Sequence, residues 1–485
     1  MIKKILLILT VILLFLLALW LRVFDIRSSY SLRGPDSGYL DMLAKNHIKL
    51  GLNKTKGLIV GGKSHLGYII RFNHPPLLHL SLAGWLKITK INEVCARIFT
   101  IMWNLLGAVL IYLITYHFFK KHRFSLVSVF TYLFMPISIF SSLFVLFEPM
   151  TLTLSLLELW GYLNLLKKKN SSFYTVAFYC GGLTAILTDW QGFFLTSWLL
   201  IHSIFFEKKK IKYTIKLFVG SVILCLFYFY INYIQTGRVE ILGRLQSRSL
   251  PTVEFGKLIN RFLFRVNFSF GILFWISLVV FIMNIIKLTI SNKTRKRFLL
   301  LSYLIILFIW PTFYTLIFLN GMYAHDFWLY YYLPFLSVSS AIVFESISKI
   351  FSYHRLLQTM LLVVLMLLIS SLYYQNYNKY LFRRIDSKLE SAKAAGEIIK
   401  KNNRGENNCL IANSPIAYYS DCLILNIPYG RINEKQIKAF KPKWVSFQTN
   451  KQKNLENFVN FLRENNYYQV YKKWPFQVWA KKRNP

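Results

Sequence analysis

Residues 97–118 read RIFTIMWNLLGAVLIYLITYHF, residues 119–123 read FKKHR, and residues 124–146 read FSLVSVFTYLFMPISIFSSLFVL. Each apolar run matches the ~20 residues that a helix needs to cross the hydrocarbon of a bilayer, and the break between them is short and basic. Two membrane-crossing helices joined by a basic turn are the simplest reading. The unit recurs in both directions. Apolar runs at 4–22, 97–118, 124–146, 150–166, 172–189, 191–206, 214–235, 267–287, 298–319, 327–348 and 355–375 give eleven candidate spans. The fold class is therefore an all-α polytopic membrane protein.

Composition agrees. Of 485 residues, 55% are hydrophobic and only 16% charged, which excludes a large soluble domain. The formal net charge of +39 would otherwise suggest a nucleic-acid partner. Its Lys and Arg instead sit in short runs between apolar segments, such as Lys167–Lys169 and Lys208–Lys210, as topology determinants do beside anionic lipid. The expected partner is the bilayer, with no nucleic acid. Lys3 and Lys4 precede the first apolar run, no small-residue cleavage pattern follows it, and Arg22 ends it, so it reads as an uncleaved span.

With the N-terminus cytoplasmic, the connections 119–123, 167–171, 207–213, 288–297 and 349–354 fall on the cytoplasmic side, and all are short and carry Lys or Arg. The opposite side then holds 23–96, 147–149, residue 190, 236–266, 320–326 and the tail. The predicted location is a cell (plasma or inner) membrane, with an extracytoplasmic C-terminus. Within 23–96, residues 74–88 are apolar but too short to span and begin with two prolines, which predicts an interfacial or re-entrant helix. The chain divides into residues 1–380, the membrane part with its outer loop 23–96, and 381–485, a soluble α/β domain. Alternation in the second part predicts helices near 387–402 and 453–464 and strands near 408–412, 422–426, 443–447, 467–472 and 476–480. Cys409 and Cys422 lie in this part and could pair in an oxidising compartment, though spacing alone does not decide it.

Acidic residues in or beside a span are expensive, so each is a functional hypothesis. On this topology Asp36, Asp41, Glu148, Asp189 and Asp326 all reach the outer face, joined by His74, His325, Arg33, Arg71, Arg244 and Arg248. Such a group suits transfer of a sugar from a lipid phosphate. That reaction needs a carboxylate to deprotonate an acceptor hydroxyl, cationic or hydrogen-bonding groups for the leaving phosphate, and a groove open to lipid. Taken singly, most of these residues have plainer readings. RGPDSGY at 33–39 is a tight turn into a helix over 39–50, where Asp36 can serve as an N-cap. Asp189-Trp190-Gln191 reads as a hairpin turn, and the HDFWLYYYLP segment at 325–334 as an interfacial aromatic belt.

Taken together, Leu21-Arg22 at the end of the first span, Asp36-Ser37-Gly38-Tyr39, His74-Pro75-Pro76-Leu77, Glu148 opening the fourth span and the Tyr-rich segment ending at Pro334 resemble a known family. It is the GT-C class of polyprenyl-phosphate-sugar-dependent transferases, in the superfamily of dolichyl-phosphate-mannose protein mannosyltransferases and bacterial lipid A aminoarabinose transferases. The resemblance runs from Met1 to about Tyr380. It implies an inverting transfer of a single sugar to an acceptor glycan, lipid or protein, with Asp36 as base and Glu148 as the second acid. It implies further that His74 and Tyr331 contact the donor phosphate; the outer-face reading itself adds His325, Arg244 and Arg248 as phosphate-binding candidates and Tyr39, Asp41 and Asp189 as other site candidates. Many members carry an acidic pair in the first loop, whereas Ser37 follows Asp36 here. That leaves a divalent cation open and its ligands unassigned. The WWDYG signature of oligosaccharyltransferases is absent from the tail. A transporter or flippase of a lipid-linked glycan would want charged residues deep in several spans, where Glu158 is the main candidate. A scaffold with an outer binding domain would leave the clustered acids unexplained.

Overall fold

The computed structural model describes residues 2–23, 35–64, 67–70, 74–166, 171–237, 240–250, 253–290, 295–350, 387–403, 409–411, 414–422, 432–452 and 454–482, with isolated positions 364, 369 and 371. Helices occupy the first ten expected spans; the eleventh, 355–375, lies outside the described residues apart from those three positions. Among the described residues, four helices are long and apolar enough to cross a bilayer unaided: Glu93–Phe119, Lys208–Gln235, Phe298–Ile317 and Asp326–Lys349. Two bent pairs raise the number to as many as six. Shorter apolar helices include Leu7–Val23, Ser172–Thr188 and Gln191–Phe205.

The bends have local causes. The expected span 124–146 is two helices, His122–Phe134 and Pro136–Ser142, inclined at 58°. Met135 is extended, and Pro136, having no N–H to give, starts the second piece. The helices Phe255–Phe270 and Ile272–Ile286 meet at 100°. Gly271 makes that corner at φ 57°, a region that a side chain disfavours. Helices Phe147–Asn164 and Ser171–Thr188 approach so closely that a Cβ on Gly161 would stand 2.5 Å from the Phe178 nitrogen.

Between the first two spans lie the helices Pro35–Leu50 and Leu77–Ile88 and a hairpin, Val60–Ser64 with Gly67–Ile70, that sequence patterning did not anticipate. The C-terminal part is a four-stranded sheet ordered Cys409–Ile411, Trp444–Gln448, Phe476–Lys481, Tyr467–Lys473. The first pair is parallel and the others antiparallel. Alternation sends Leu410, Val445, Phe447 and Trp479 to one face, where Phe458, Phe461 and Leu462 of the Leu455–Glu464 helix cover them. The other face packs Cys409, Ile411, Val478 and Ala480 against Ala392, Ala395 and Ile399 of the Ser387–Asn402 helix. That second core continues into Leu40 and Leu43 of Pro35–Leu50 and Leu78 and Leu82 of Leu77–Ile88, so the helices that follow the first span share one apolar seam with the sheet. Helices Ser414–Ser420 and Glu434–Phe440 are additions to the expected order, and the strand expected near 422–426 falls largely outside the described residues. Cys409 and Cys422 form a disulfide.

Candidate active site

The corner between helices Ser171–Thr188 and Gln191–Phe205 presents Asp189, which is 3% exposed. Its Oδ1 lies 2.9 Å from His74 Nδ1 and accepts the Trp190 backbone N–H at 2.9 Å; its Oδ2 accepts from the Tyr331 hydroxyl at 3.4 Å. Three segments far apart in sequence thus converge on one carboxylate. Asp189 does form the turn that the sequence predicts, and it also joins two residues picked as phosphate ligands.

His74 is fixed from several sides. Its ring stacks on Phe147 at 4.2 Å, and its backbone carbonyl accepts the Tyr228 hydroxyl at 2.7 Å. Pro75 and Pro76 follow, restricting the backbone that carries it. With Nδ1 engaged by Asp189, Nε2 is the nitrogen able to meet a ligand. Phe147 begins the Phe147–Asn164 helix, so the next residue, Glu148, lies in the first turn, where the helix dipole favours a carboxylate. Glu148 is 2% exposed, and its charge together with that of Asp189 reaches the buried Tyr331 hydroxyl. The Tyr314 hydroxyl lies within electrostatic range of Asp189, Arg248 and Glu148.

Arg248 is half-buried, with its guanidinium 5.8 Å from the centre of the Trp328 ring, which also packs against His325. Burial, reinforced by the positive charge of Arg248, lowers the His325 pKa to about 4. His325 is therefore neutral at neutral pH and offers a ligand a hydrogen bond rather than a charge. Asp326, beside it, opens the Asp326–Tyr332 turn.

Asp36 is the second residue of the Pro35–Leu50 helix, one turn earlier than the expected start, and its side chain lies outside the described residues. The same is true of the Arg244 side chain, on the Glu240–Ser249 helix, while Arg33 and Arg71 lie outside altogether. Asp41 is fully buried and hydrogen-bonds the Tyr418 side chain of the C-terminal part. Tyr39 packs on the apolar seam that links the Pro35–Leu50 and Leu77–Ile88 helices to the sheet.

A neighbouring network escaped the sequence reading of polar groups. Arg22, 0% exposed, donates to Ser142 Oγ at 3.0 Å, Ala18 O at 2.9 Å, Leu133 O at 2.8 Å and Ser138 Oγ at 3.2 Å. Leu133 O is a carbonyl freed by the break at Met135, so the guanidinium caps the broken helix. Ser138 Oγ also accepts from Asn104 Nδ2, which donates to the Tyr330 hydroxyl at 2.6 Å. Tyr330 is thereby anchored beside Tyr331. A single Asn inside the apolar run 97–118 was the available signal.

Deep in the bundle, Glu158 accepts from Thr196 Oγ1 at 2.8 Å and is fully buried. Among the described residues no group of three or more His, Cys, Asp or Glu side chains could hold a metal ion.

The architecture is that of the GT-C class of membrane glycosyltransferases. The ArnT of Cupriavidus metallidurans bound to undecaprenyl phosphate superposes with a TM-score of 0.66 at 14% identity, covering 97% of each chain. Its apo state gives 0.64 at 13% identity over the same shares. The apo oligosaccharyltransferase of Archaeoglobus fulgidus gives 0.60 at 13% identity, covering 92% of this chain and 70% of that one. No protein-family model matches the sequence, and no curated protein matches it. The fold is shared where the sequence has diverged.

Proposed function

We propose that this protein is an inverting glycosyltransferase that moves a single sugar from a polyprenyl-phosphate donor to an acceptor hydroxyl at the extracytoplasmic face of a cell membrane. The observation that carries the reading is the hydrogen-bonded group His74–Asp189–Tyr331 at one end of the bundle, beside the buried Glu148. The shared fold with an ArnT bound to undecaprenyl phosphate supports the class of donor.

In this reading Asp36 takes the proton of the acceptor hydroxyl as its oxygen bonds to the anomeric carbon. The bond from that carbon to the phosphate oxygen breaks, and polyprenyl phosphate leaves with the electron pair. His74 and Tyr331 hold the departing phosphate, Arg248 and Arg244 add positive charge, and neutral His325 adds a hydrogen bond. Glu148 orients the acceptor. The acceptor is a glycan, lipid or protein hydroxyl. Residues 1–380 do the chemistry, with the N-terminus cytoplasmic, and residues 381–485 form an extracytoplasmic α/β domain.

The test uses purified protein in lipid nanodiscs with a panel of labelled polyprenyl-phosphate sugars and acceptors. Release of polyprenyl phosphate with transfer of label is expected. Movement of donor across proteoliposome bilayers without release from any donor would assign the site to transport instead.

A further inference from the structure

We propose that the C-terminal part acts as an ionic clamp on the Pro35–Leu50 helix, with Asp421 a positioning residue that sets where the N-terminal end of that helix, and so Asp36, stands in the site. The inference rests on the transferase reading for its catalytic consequence, and on contacts alone for the clamp.

Lys45 and Lys49, four residues apart, lie on one face of the helix. Both reach Asp421: Lys45 pairs with its Oδ1, while Lys49 stands 3.5 Å from that oxygen and donates to the Asp421 backbone carbonyl. Lys45 also donates to Tyr418 O at 3.0 Å, with its ammonium 4.7 Å from the centre of the Tyr418 ring. Asp41, one turn earlier, meets the Tyr418 hydroxyl. The helix is thus gripped along one side by residues 418–421.

Asp421 is itself held firmly. Its backbone is left-handed at φ 58°, and its neighbour Cys422 is tied by the disulfide to Cys409 in the first strand of the sheet. Lys400, from the Ser387–Asn402 helix, pairs with Oδ2 at 2.8 Å. Strand, disulfide, carboxylate and outer-loop helix form one continuous chain of contacts. The side chains of Lys45 and Asp421 are only 12% and 29% exposed, so water screens this pair less than it would an exposed one. Burial alone would raise the Asp421 pKa, yet the ammonium groups of Lys400, Lys45 and Lys49 outweigh it and hold the carboxyl at about 2. The Asp421 carboxylate therefore stays ionised at any working pH.

Asp36 precedes Lys45 by nine residues, which is about 14 Å along a helix axis. A rigid helix passes a tilt or slide at the clamp on to its far end. Misplacing a reacting group by about 1 Å can cost ~100-fold in rate. The donor phosphate is held by other elements, so the loss belongs in kcat.

The experiment compares the full-length native chain with Asp421→Asn, which removes the charge while keeping a residue type that tolerates the left-handed backbone. Hydrogen exchange over residues 35–50 should rise, and kcat should fall about tenfold or more with the donor KM within about twofold. The double variant Lys45→Gln/Lys49→Gln should behave alike, whereas Lys400→Gln, which cuts only an arm within the C-terminal part, should leave kcat near native. Unchanged exchange in both clamp variants overturns the clamp. Raised exchange with native kcat overturns the positioning role. If the native chain transfers no sugar, the transferase reading fails separately, and the exchange measurement still decides whether Asp421 orders the helix.

Discussion

Replacing Asp189 by Asn removes the charge at the junction of His74, Tyr331 and the Trp190 amide while keeping the side chain's shape. The amide oxygen can still accept one or two of these bonds, so the loss is the charged component of the contact with His74. Hydrogen bonds to charged groups are worth ~1.5–3 kcal/mol net. At about 1.36 kcal/mol per tenfold, a loss confined to the transition state slows transfer about 10- to 150-fold. The assay is single-turnover release of polyprenyl phosphate at saturating donor, with size-exclusion elution checking the integrity of the variant. Because Asp189 acts through His74, the effects should not add: Asp189→Asn combined with His74→Ala should cost little more than His74→Ala alone. A rate within twofold of native for Asp189→Asn, or full additivity in the double variant, would refute the coupling.

Arg22→Leu should lower thermal stability in detergent, since it strands Leu133 O as an unsatisfied buried group worth ~1–3 kcal/mol and removes one of the bonds made by each of Ser138 and Ser142; a melting temperature equal to native would dismiss that network. Gly161→Val should force apart the helices that meet at Phe178 and destabilise by about 1–3 kcal/mol, read as a lower midpoint in thermal unfolding. Burial holds His47 and His325 at about 4, below their ordinary 6.5, so the unfolded chain binds protons first. Stability should therefore be full above pH 6.5 and decline as the pH falls from there towards 4. The Asp421 carboxyl, depressed from 3.8 to about 2, adds a second loss that begins below pH 4 and completes as the pH falls through about 2. A flat melting temperature between pH 7 and 4 would contradict the first of these windows.

The membrane fold was legible because a bilayer imposes a length and a hydropathy that few sequences satisfy by accident, and the basic connections lie between the apolar runs. The reading missed what averaging hides. Phe255–Phe270 carries Asn260, Arg261, Arg265 and Asn267 among its apolar residues, so its amphipathic pattern merged with the preceding loop and the corner at Gly271 went unseen. The seven-residue helix Glu434–Phe440 is too short to show a period. At the site, His74, Tyr331 and Glu148 were picked out by motif, but their meeting point was not. Asp189 lies 115 residues from His74 and 142 from Tyr331, and no local pattern encodes such a contact. Arg22 reads in sequence as the end of a span, while its role as cap of a broken helix depends on a bend at Met135 that only tertiary structure reveals.

The most direct test of the account is sugar transfer by Asp36→Asn beside the native chain, purified in lipid and supplied with the donor that the native protein uses. The account predicts normal expression and insertion, retained binding of polyprenyl phosphate and a loss of transfer of at least ~100-fold, within the range that general-base catalysis contributes. Native turnover in that variant would contradict it and remove Asp36 from the mechanism.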